Sequence, residues 1–305
     1  MSHPPQPTSR IGVYIPSIAL FVAVLIWASS FVAMKVAVMA FSPLVVIFGR
    51  MAVASVIFGF VALRTGIPKV RRQDVVIILC MALCEPCLYF IFEAFALRYT
   101  TASQAGMITA MLPLMVAAVA FVSLGERPRA RTWAGFFIAV AGVVWLSAAS
   151  VSSDLAPNPI LGNTLEFLAM VCATGYTVLL KRLSSTNSPW FLTAVQAVAG
   201  ALFYLPGLLL PIAQTHGEPG LNGVLAILYL GSIVTIGAYG LYNFGVSRLP
   251  ASQASAFINL IPVFSVILGT MLLGETFTPW QIAASVVVLV GVGLSQGGLR
   301  RVGVE

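Results

Sequence analysis

The sequence predicts an all-α integral membrane protein, with ten transmembrane helices forming two inverted five-helix repeats around a central cavity. Three observations carry that expectation. Of 305 residues, 59% are apolar and only 8% charged, where a soluble domain carries roughly 25% charged residues. Apolar stretches long enough to cross a bilayer, about 20 residues each, recur along the whole chain. The segment Thr101 to Glu126 returns 149 positions later as Pro250 to Glu275: Ala102, Ser103, Gln104, Ala105, Pro113, Leu124, Gly125 and Glu126 face Ala251, Ser252, Gln253, Ala254, Pro262, Leu273, Gly274 and Glu275. The chain is a duplication. With five spans per half, the second half enters the membrane in the opposite sense, giving a pseudo-two-fold axis in the membrane plane.

The spans are expected near residues 14–38, 43–63, 75–97, 101–124 and 130–149 in the first half, and 160–182, 189–212, 221–246, 250–274 and 279–298 in the second. The division is then 1–10 as a polar, proline-rich and disordered N-terminus, 11–149 as the first repeat, 150–159 as a linker, 160–298 as the second repeat and 299–305 as the C-terminal tail. The opening apolar run is long and is followed by nine more, so it reads as a retained first helix and not a cleaved leader.

Span 1 carries Trp27, Ser29, Ser30 and Lys35. Trp27 lies near mid-span, away from the interfacial belt where tryptophans collect, which makes it either a cavity wall or a packed interior aromatic. Ser42-Pro43, Ser188-Pro189 and Thr278-Pro279 pair an N-cap with a proline at the first helical position and mark the starts of spans 2, 7 and 10. Span 2 contains Arg50, and span 3 contains Glu85-Pro86 and Glu93. Charges inside the membrane are costly and need a partner or water. Glu85, Tyr89 and Glu93 advance by four and share one helix face. Two roles stay open for them: a stripe that binds an amino group or carries a proton, and ion pairing with Lys35 or Arg50 that fixes helix packing.

Spans 4 and 9 each have a proline near the middle, Pro113 and Pro262. Each ring removes one backbone hydrogen bond and clashes four residues back, so the carbonyls of Thr109 and Ile258 are expected to lose their partners. In hydrocarbon the loss must be repaired by neighbouring helices, side chains or water in a cavity. Paired interrupted helices in two halves are the sequence pointer to a transporter's binding site. Spans 5 and 10 are nearly free of polar atoms, with Trp133, Trp145 and Trp280 near their ends, and are expected to face lipid. Gly135 with Ala139 and Gly293 with Gly297 would allow close helix contact, within the chain or between chains of a weak dimer. Span 6 holds Asn163, Thr164, Glu166 and Tyr176 and ends at Lys181-Arg182, span 8 holds Tyr239, Tyr242 and Asn243, and span 9 holds Asn259. Neutral groups such as Tyr239 and Asn259 at mid-depth serve either as helix-to-helix glue or as substrate contacts.

The formal charge is +7, but its distribution argues for topology and against a nucleic-acid partner. With a cytoplasmic N-terminus, thirteen of sixteen Lys and Arg fall on that side, Arg98 falls opposite, and Lys35 and Arg50 lie within spans. By the positive-inside rule both termini are cytoplasmic. Cys80, Cys84, Cys87 and Cys172 all fall in spans, so no disulfide framework is implied. Cys80, Cys84 and Cys87 would share a helix face, yet no histidine lies in any span, and neither a metal nor a cofactor is expected. No GxxxxGK[ST] phosphate loop is present, so ATP does not drive the protein. Both histidines, His3 and His216, lie outside the spans, which removes the usual general bases and argues against an enzyme.

The segment ALRYTTASQAGMITAMLPLMVAAVAFVSLGER and its copy SRLPASQASAFINLIPVFSVILGTMLLGE resemble the signature of the EamA branch of the drug/metabolite transporter superfamily. IWASSFVAMKVA and FGRMAVAS resemble the family as well. The resemblance implies a ten-helix inverted repeat with spans 1, 3, 4, 6, 8 and 9 around the cavity and spans 5 and 10 outside. It also implies an architectural role for Pro113, Pro262, Glu126 and Glu275. Members include bacterial inner-membrane exporters of amino acids and small metabolites, the YddG type among them. The expectation is therefore an alternating-access exporter of amino acids or related small molecules, a monomer or weak dimer in the bilayer. Trp27, Glu85, Tyr89, Met111, Tyr176, Tyr239, Asn243 and Asn259 are expected to form its cavity, with Lys35, Arg50, Glu85 and Glu93 pairing or carrying protons. A carrier of phosphorylated or nucleotide-linked sugars is the alternative in the same fold.

Overall fold

The computed structural model describes residues 10–66, 68, 70–124, 130–214, 220–249 and 251–296. Among them the chain is helical, with no β-strand beyond one isolated bridge between Ser153 and Ala156. The first half comprises α1 (Arg10–Ala40), α2 (Pro43–Thr65), α3 (Arg72–Tyr99), α4 (residues 102–124) and α5 (Ala130–Ala148). The second comprises α6 (Pro159–Leu183), α7 (Pro189–Tyr204), α8 (Leu221–Arg248), α9 (residues 251–273) and α10 (Pro279–Gln296). Most are long and apolar enough to cross a bilayer, and α10 is a shorter apolar helix. The α7 helix ends earlier than the sequence suggests, because Pro206 and Pro211 turn the chain into two short 3-10 segments, Pro206–Leu209 and Pro211–Ala213. The expected N-terminal tail falls outside the described residues apart from Arg10, and so does the C-terminal one.

Four spans are interrupted, at matching places in the two halves. The α3 helix passes through a π-helical segment at Leu83–Leu88 and α8 through one at Leu230–Ala238, while α4 and α9 tighten to 3-10 geometry at Thr109–Met111 and Phe257–Leu260. At the α3 break Pro86 has no N–H to give, and Glu85 leaves helical geometry altogether at φ −150, ψ 118. The repair comes from α7. The Tyr204 hydroxyl donates to the carbonyls of Pro86, at 3.0 Å, and Cys87, and the Gln196 amide donates to the Glu85 carbonyl at 3.4 Å. At the α8 break the Thr235 hydroxyl donates to the Leu230 carbonyl at 2.8 Å and accepts from Arg50 Nε of α2 at 3.2 Å. The second half thus mends the α3 break, while at the α8 break the helix's own Thr235 takes the carbonyl and Arg50 of the first half holds Thr235.

The prolines of α4 and α9 behave differently from the expectation. The carbonyls of Thr109 and Ile258 are not left open: the 3-10 turns bring the N–H groups of Leu112 and Ile261 onto them. Both prolines are buried. Two of the three anticipated caps form. Ser188 accepts from the Phe191 N–H at 3.2 Å, and Thr278 and Gln281 bond reciprocally at 2.8 and 3.3 Å. Ser42 instead turns its hydroxyl to the Ala213 carbonyl at 2.9 Å, tying the start of α2 to the segment after α7.

The α5 and α10 helices pack against each other with backbones close. A methyl group on Gly135 would stand 2.4 Å from the Gly291 carbonyl, and one on Gly291 would stand 2.5 Å from the Ala139 N–H nitrogen. The contact is intramolecular, and its α10 partner is Gly291. Gly293 faces open space, and Gly297 lies outside the described residues. Trp280 and Trp145 are exposed on the outer surface of this pair, with Trp133 half-buried. The cysteines of α3 do not share a face: Cys80 is exposed and Cys87 buried, because the π-helical segment rotates the residues between them. Gly135→Ala is expected to lower stability by about 1–3 kcal/mol through overpacking against backbone that cannot yield. Gly293→Ala should leave it unchanged or raise it slightly, and thermal unfolding of both variants in detergent is the check.

Candidate functional site: a charged aromatic cavity in the bundle

Where the interrupted spans meet they leave a cavity of about 500 Å³, any open margin included, of which little is wide enough to admit water. Trp27, Ser30 and Phe31 of α1 form one wall. Glu85, Tyr89 and Glu93 of α3 form another, so the face predicted by their four-residue spacing survives the break at Glu85. Tyr176 and Thr177 come from α6, and Tyr239 and Tyr242 from α8. The α4 and α9 helices contribute Thr109, Leu112, Ile258 and Ile261, the residues on either side of their 3-10 turns. Arg50 of α2 also reaches in, which adds a seventh helix to the six expected.

The polar groups of this cavity are paired through the aromatic ones. The Tyr239 hydroxyl donates to Glu85 Oε1. The Tyr89 hydroxyl donates to Glu93 Oε1 at 2.8 Å, and Arg50 Nη1 lies 3.5 Å from Glu93 Oε2. The Arg50 guanidinium also sits 4.0 Å over the Phe90 ring. Trp27 packs edge-on against Tyr239 at 5.0 Å and, tilted, against Tyr242 at 4.7 Å between ring centroids. Its buried indole Nε1 has no hydrogen-bond partner, while the Tyr242 hydroxyl lies beside Thr177. A buried donor left unpaired costs stability, and this one lines the space where a ligand would sit.

Three residues expected in the cavity stand behind it. Asn243 is fully buried and accepts from the Tyr176 hydroxyl at 2.5 Å while donating to Thr193 at 2.9 Å and Gln196 at 3.3 Å, so it positions a wall residue. Met111 belongs to the 3-10 turn of α4 and packs into the core. Asn259 turns its amide onto the Ala256 carbonyl in its own helix at 3.0 Å. Lys35 does not pair with Glu85 or Glu93 and is 1% exposed. Its ammonium donates to the carbonyls of Leu97 at 2.6 Å, Thr100 at 2.8 Å and Leu155, because position 35 is level with the end of α3, where the last carbonyls lack helical partners. Lys181 repeats the arrangement on α8, donating to Val246 at 2.8 Å and Leu249 at 2.7 Å.

The Gly-Glu at the end of α9 has a concrete contact. Gly274 adopts φ +67, the left-handed turn that glycine tolerates, and the chain folds Glu275 back onto the start of α4. There the carboxylate accepts from the N–H groups of Ala102 at 2.7 Å and Ser103 at 2.9 Å and from the Ser103 hydroxyl. Its duplicate, Glu126, lies outside the described residues. Beside this contact Gln104, Asn163, Ser150 and Thr100 form a buried hydrogen-bonded cluster. A wider groove lies between α2 and α7, around Val61, Val198 and Leu202, but its lining carries no charged side chain and is exposed where lipid would lie.

The sequence missed Arg50, Tyr242 and Thr177 as cavity residues, and gave no sign that the carboxyl of Glu166, outside the cavity lining, would lack a partner. Tyr242, one helical turn past Tyr239, was findable by spacing. Arg50 was not, since its direction depends on how α2 meets α8.

A many-helix membrane bundle with a charged, aromatic cavity where broken helices meet is the architecture of a membrane transporter. The model of the EamA-like transporter family matches residues 15–148 and again 160–296, and the chain belongs to that family. Among curated proteins it is similar to two uncharacterized transporters of Bacillus subtilis. YcxC is 29% identical over 283 residues, 86% of each chain, and YetK is 28% identical over 232 residues, 75% of this chain and 70% of that one. A probable terminal-alkyne amino-acid exporter of Streptantibioticus cattleyicolor is 24% identical over 278 residues, 90% of this chain and 91% of that one. A crystal structure superposes with a TM-score of 0.67 at 20% identity over 94% of this chain and 99% of that one, a likeness of fold.

Glu275→Ala would strand three donors at the start of α4, and Lys35→Met would strand three carbonyls. Each is expected to cost about 1–3 kcal/mol or more. Thermal midpoints in detergent should fall for both, and less for Glu275→Gln, which keeps one acceptor oxygen.

Proposed function

We propose that this protein exports amino acids, with large side chains favoured, or closely related zwitterions across a bacterial inner membrane by alternating access of its two inverted halves. The observation that carries the proposal is the cavity's mixed charge: Glu85 and Glu93 stand with Arg50 among Trp27, Tyr89, Tyr176 and Tyr239. A zwitterion needs an acceptor for its ammonium and a donor for its carboxylate, and Glu85 and Arg50, the latter shared with Glu93, supply them. The unpaired Trp27 Nε1 offers a further donor, and the rings suit an apolar side chain. The cavity is too narrow for such a ligand as it stands, so binding requires the halves to move apart, and breaks at matching positions of α3, α4, α8 and α9 are where they would hinge. The clustering of Lys and Arg at one end of the spans supports cytoplasmic termini. The amino-acid exporter among the relatives points the same way.

A sugar-phosphate carrier is disfavoured by Lys35. With its ammonium committed to three carbonyls, Arg50 is the one cavity cation among the described residues, and Glu93 already faces it.

Purified protein in liposomes is expected to exchange radiolabelled L-phenylalanine in counterflow. Glu85→Gln should reduce the rate at least about tenfold, the loss of one charge-assisted hydrogen bond. Arg50→Ala should do so as well, while Cys80→Ser on the outer surface should not. If none of the twenty amino acids exchanges, the proposal fails; strong exchange of phosphorylated sugars would replace it.

A further inference from the structure

The carboxyl of Glu166 is unlike every other buried acid described in this protein. Glu275 takes two backbone N–H groups and a hydroxyl, Glu85 takes Tyr239, Glu93 takes Tyr89 and faces Arg50, and Asp74 takes Thr186 and Asn187. Glu166 is 0% exposed, and neither of its oxygens has a hydrogen-bond partner. It sits on α6 two turns from the start of the helix, facing α3, and Glu93 is the charged group near enough to act on it. Tyr89 lies within reach of the same two carboxyls, its hydroxyl already given to Glu93. A carboxylate stripped of water and of donors, next to a second carboxylate, is strongly disfavoured.

The other helices packed on α6 offer no compensation. No ionisable residue occurs between 102 and 124 in α4 or between 251 and 273 in α9. Arg131 of α5 stands at the far end of that helix from the α5–α6 link, and Arg248 of α8 stands in that helix's last turn. Tyr239 and Tyr242 of α8 point to the cavity, as does Glu85 of α3, while Arg98 of α3 is turned to the Val38 carbonyl. Asp74 and the α3 cysteines Cys80, Cys84 and Cys87 lie before or within the break, away from Glu93.

We propose that Glu166 is a proton-binding site, holding one proton beside Glu93 while the bundle is closed and releasing it when opening brings water to α6. Glu93 lines the cavity and Glu166 stands behind it, so the pair connects the proton to the ligand. A substrate ammonium entering beside Glu93 adds positive charge near the pair and favours release of the proton. By linkage, the bound proton disfavours the ammonium to the same degree. Proton and substrate then alternate, and an inward proton gradient drives export. The coupling rests on the transport reading above, whereas the protonated acid does not.

Infrared difference spectroscopy of the full chain in lipid nanodiscs, taken near neutral pH and again at high pH, tests the site itself. The wild type is expected to show a carboxylic-acid carbonyl band that Glu166→Gln lacks and Glu166→Asp keeps at a shifted frequency. A wild-type spectrum without such a band, or one unchanged in Glu166→Gln, overturns the proposal, and the aspartate variant guards against a glutamine variant that fails to fold. In liposomes with L-phenylalanine as the probe, an imposed pH gradient should drive accumulation in the wild type. In Glu166→Gln that accumulation should fall at least tenfold relative to the variant's own exchange at equal pH. Equal gradient-driven accumulation in both proteins overturns the coupling. Absence of any phenylalanine exchange in the wild type would count against the transport reading, with the infrared band still deciding whether Glu166 carries a proton.

Discussion

Inside a bilayer no backbone group can be left without a partner, and this constraint shapes the whole bundle. Uninterrupted helices satisfy it locally. This chain breaks four of its spans and must therefore find partners elsewhere. At the α3 break it finds them across the duplication, in Tyr204 and Gln196 of the second half; at the α8 break Thr235 of the same helix takes the Leu230 carbonyl and is itself held by Arg50 of the first half. The interruptions that open a cavity are also what bind the two repeats into one body.

The same economy governs the helix ends. Lys35 and Lys181 occupy corresponding places in the halves, and each gives its ammonium protons to the last carbonyls of the span that follows two positions later. Glu275 does the converse for the first N–H groups of α4. These charges look functional in a linear sequence because they lie in apolar spans, yet they complete backbone ladders. The two halves are not equal in this respect. Lys35 is buried under three carbonyls, whereas Lys181 is half-buried with two.

The cavity divides its chemistry by half. Arg50, Glu85, Tyr89 and Glu93 all belong to the first repeat, and the second contributes hydroxyls and rings through Tyr176, Tyr239 and Tyr242. Duplication supplied two matching frameworks, and the charges reside in one of them. An asymmetric ligand with charged and apolar ends suits such a site better than a symmetric one.

Ten apolar runs, the 149-residue repeat and the two central prolines determined the bundle and its two halves, because hydrophobic length and proline chemistry are properties of the chain itself. The four-residue spacing also determined that Glu85, Tyr89 and Glu93 share a face. What each charge does was decided only in three dimensions. Lys35 and Arg50 are alike on paper as single cations in apolar helices, yet one reaches the carbonyls ending α3 and the other a carboxylate and a ring beside the cavity. Glu85 and Glu166 are alike as well, and one finds a tyrosine while the other finds nothing. Partners come from helices distant in sequence, and which of them lies within reach depends on how the spans rotate and pack, a relation no single segment encodes.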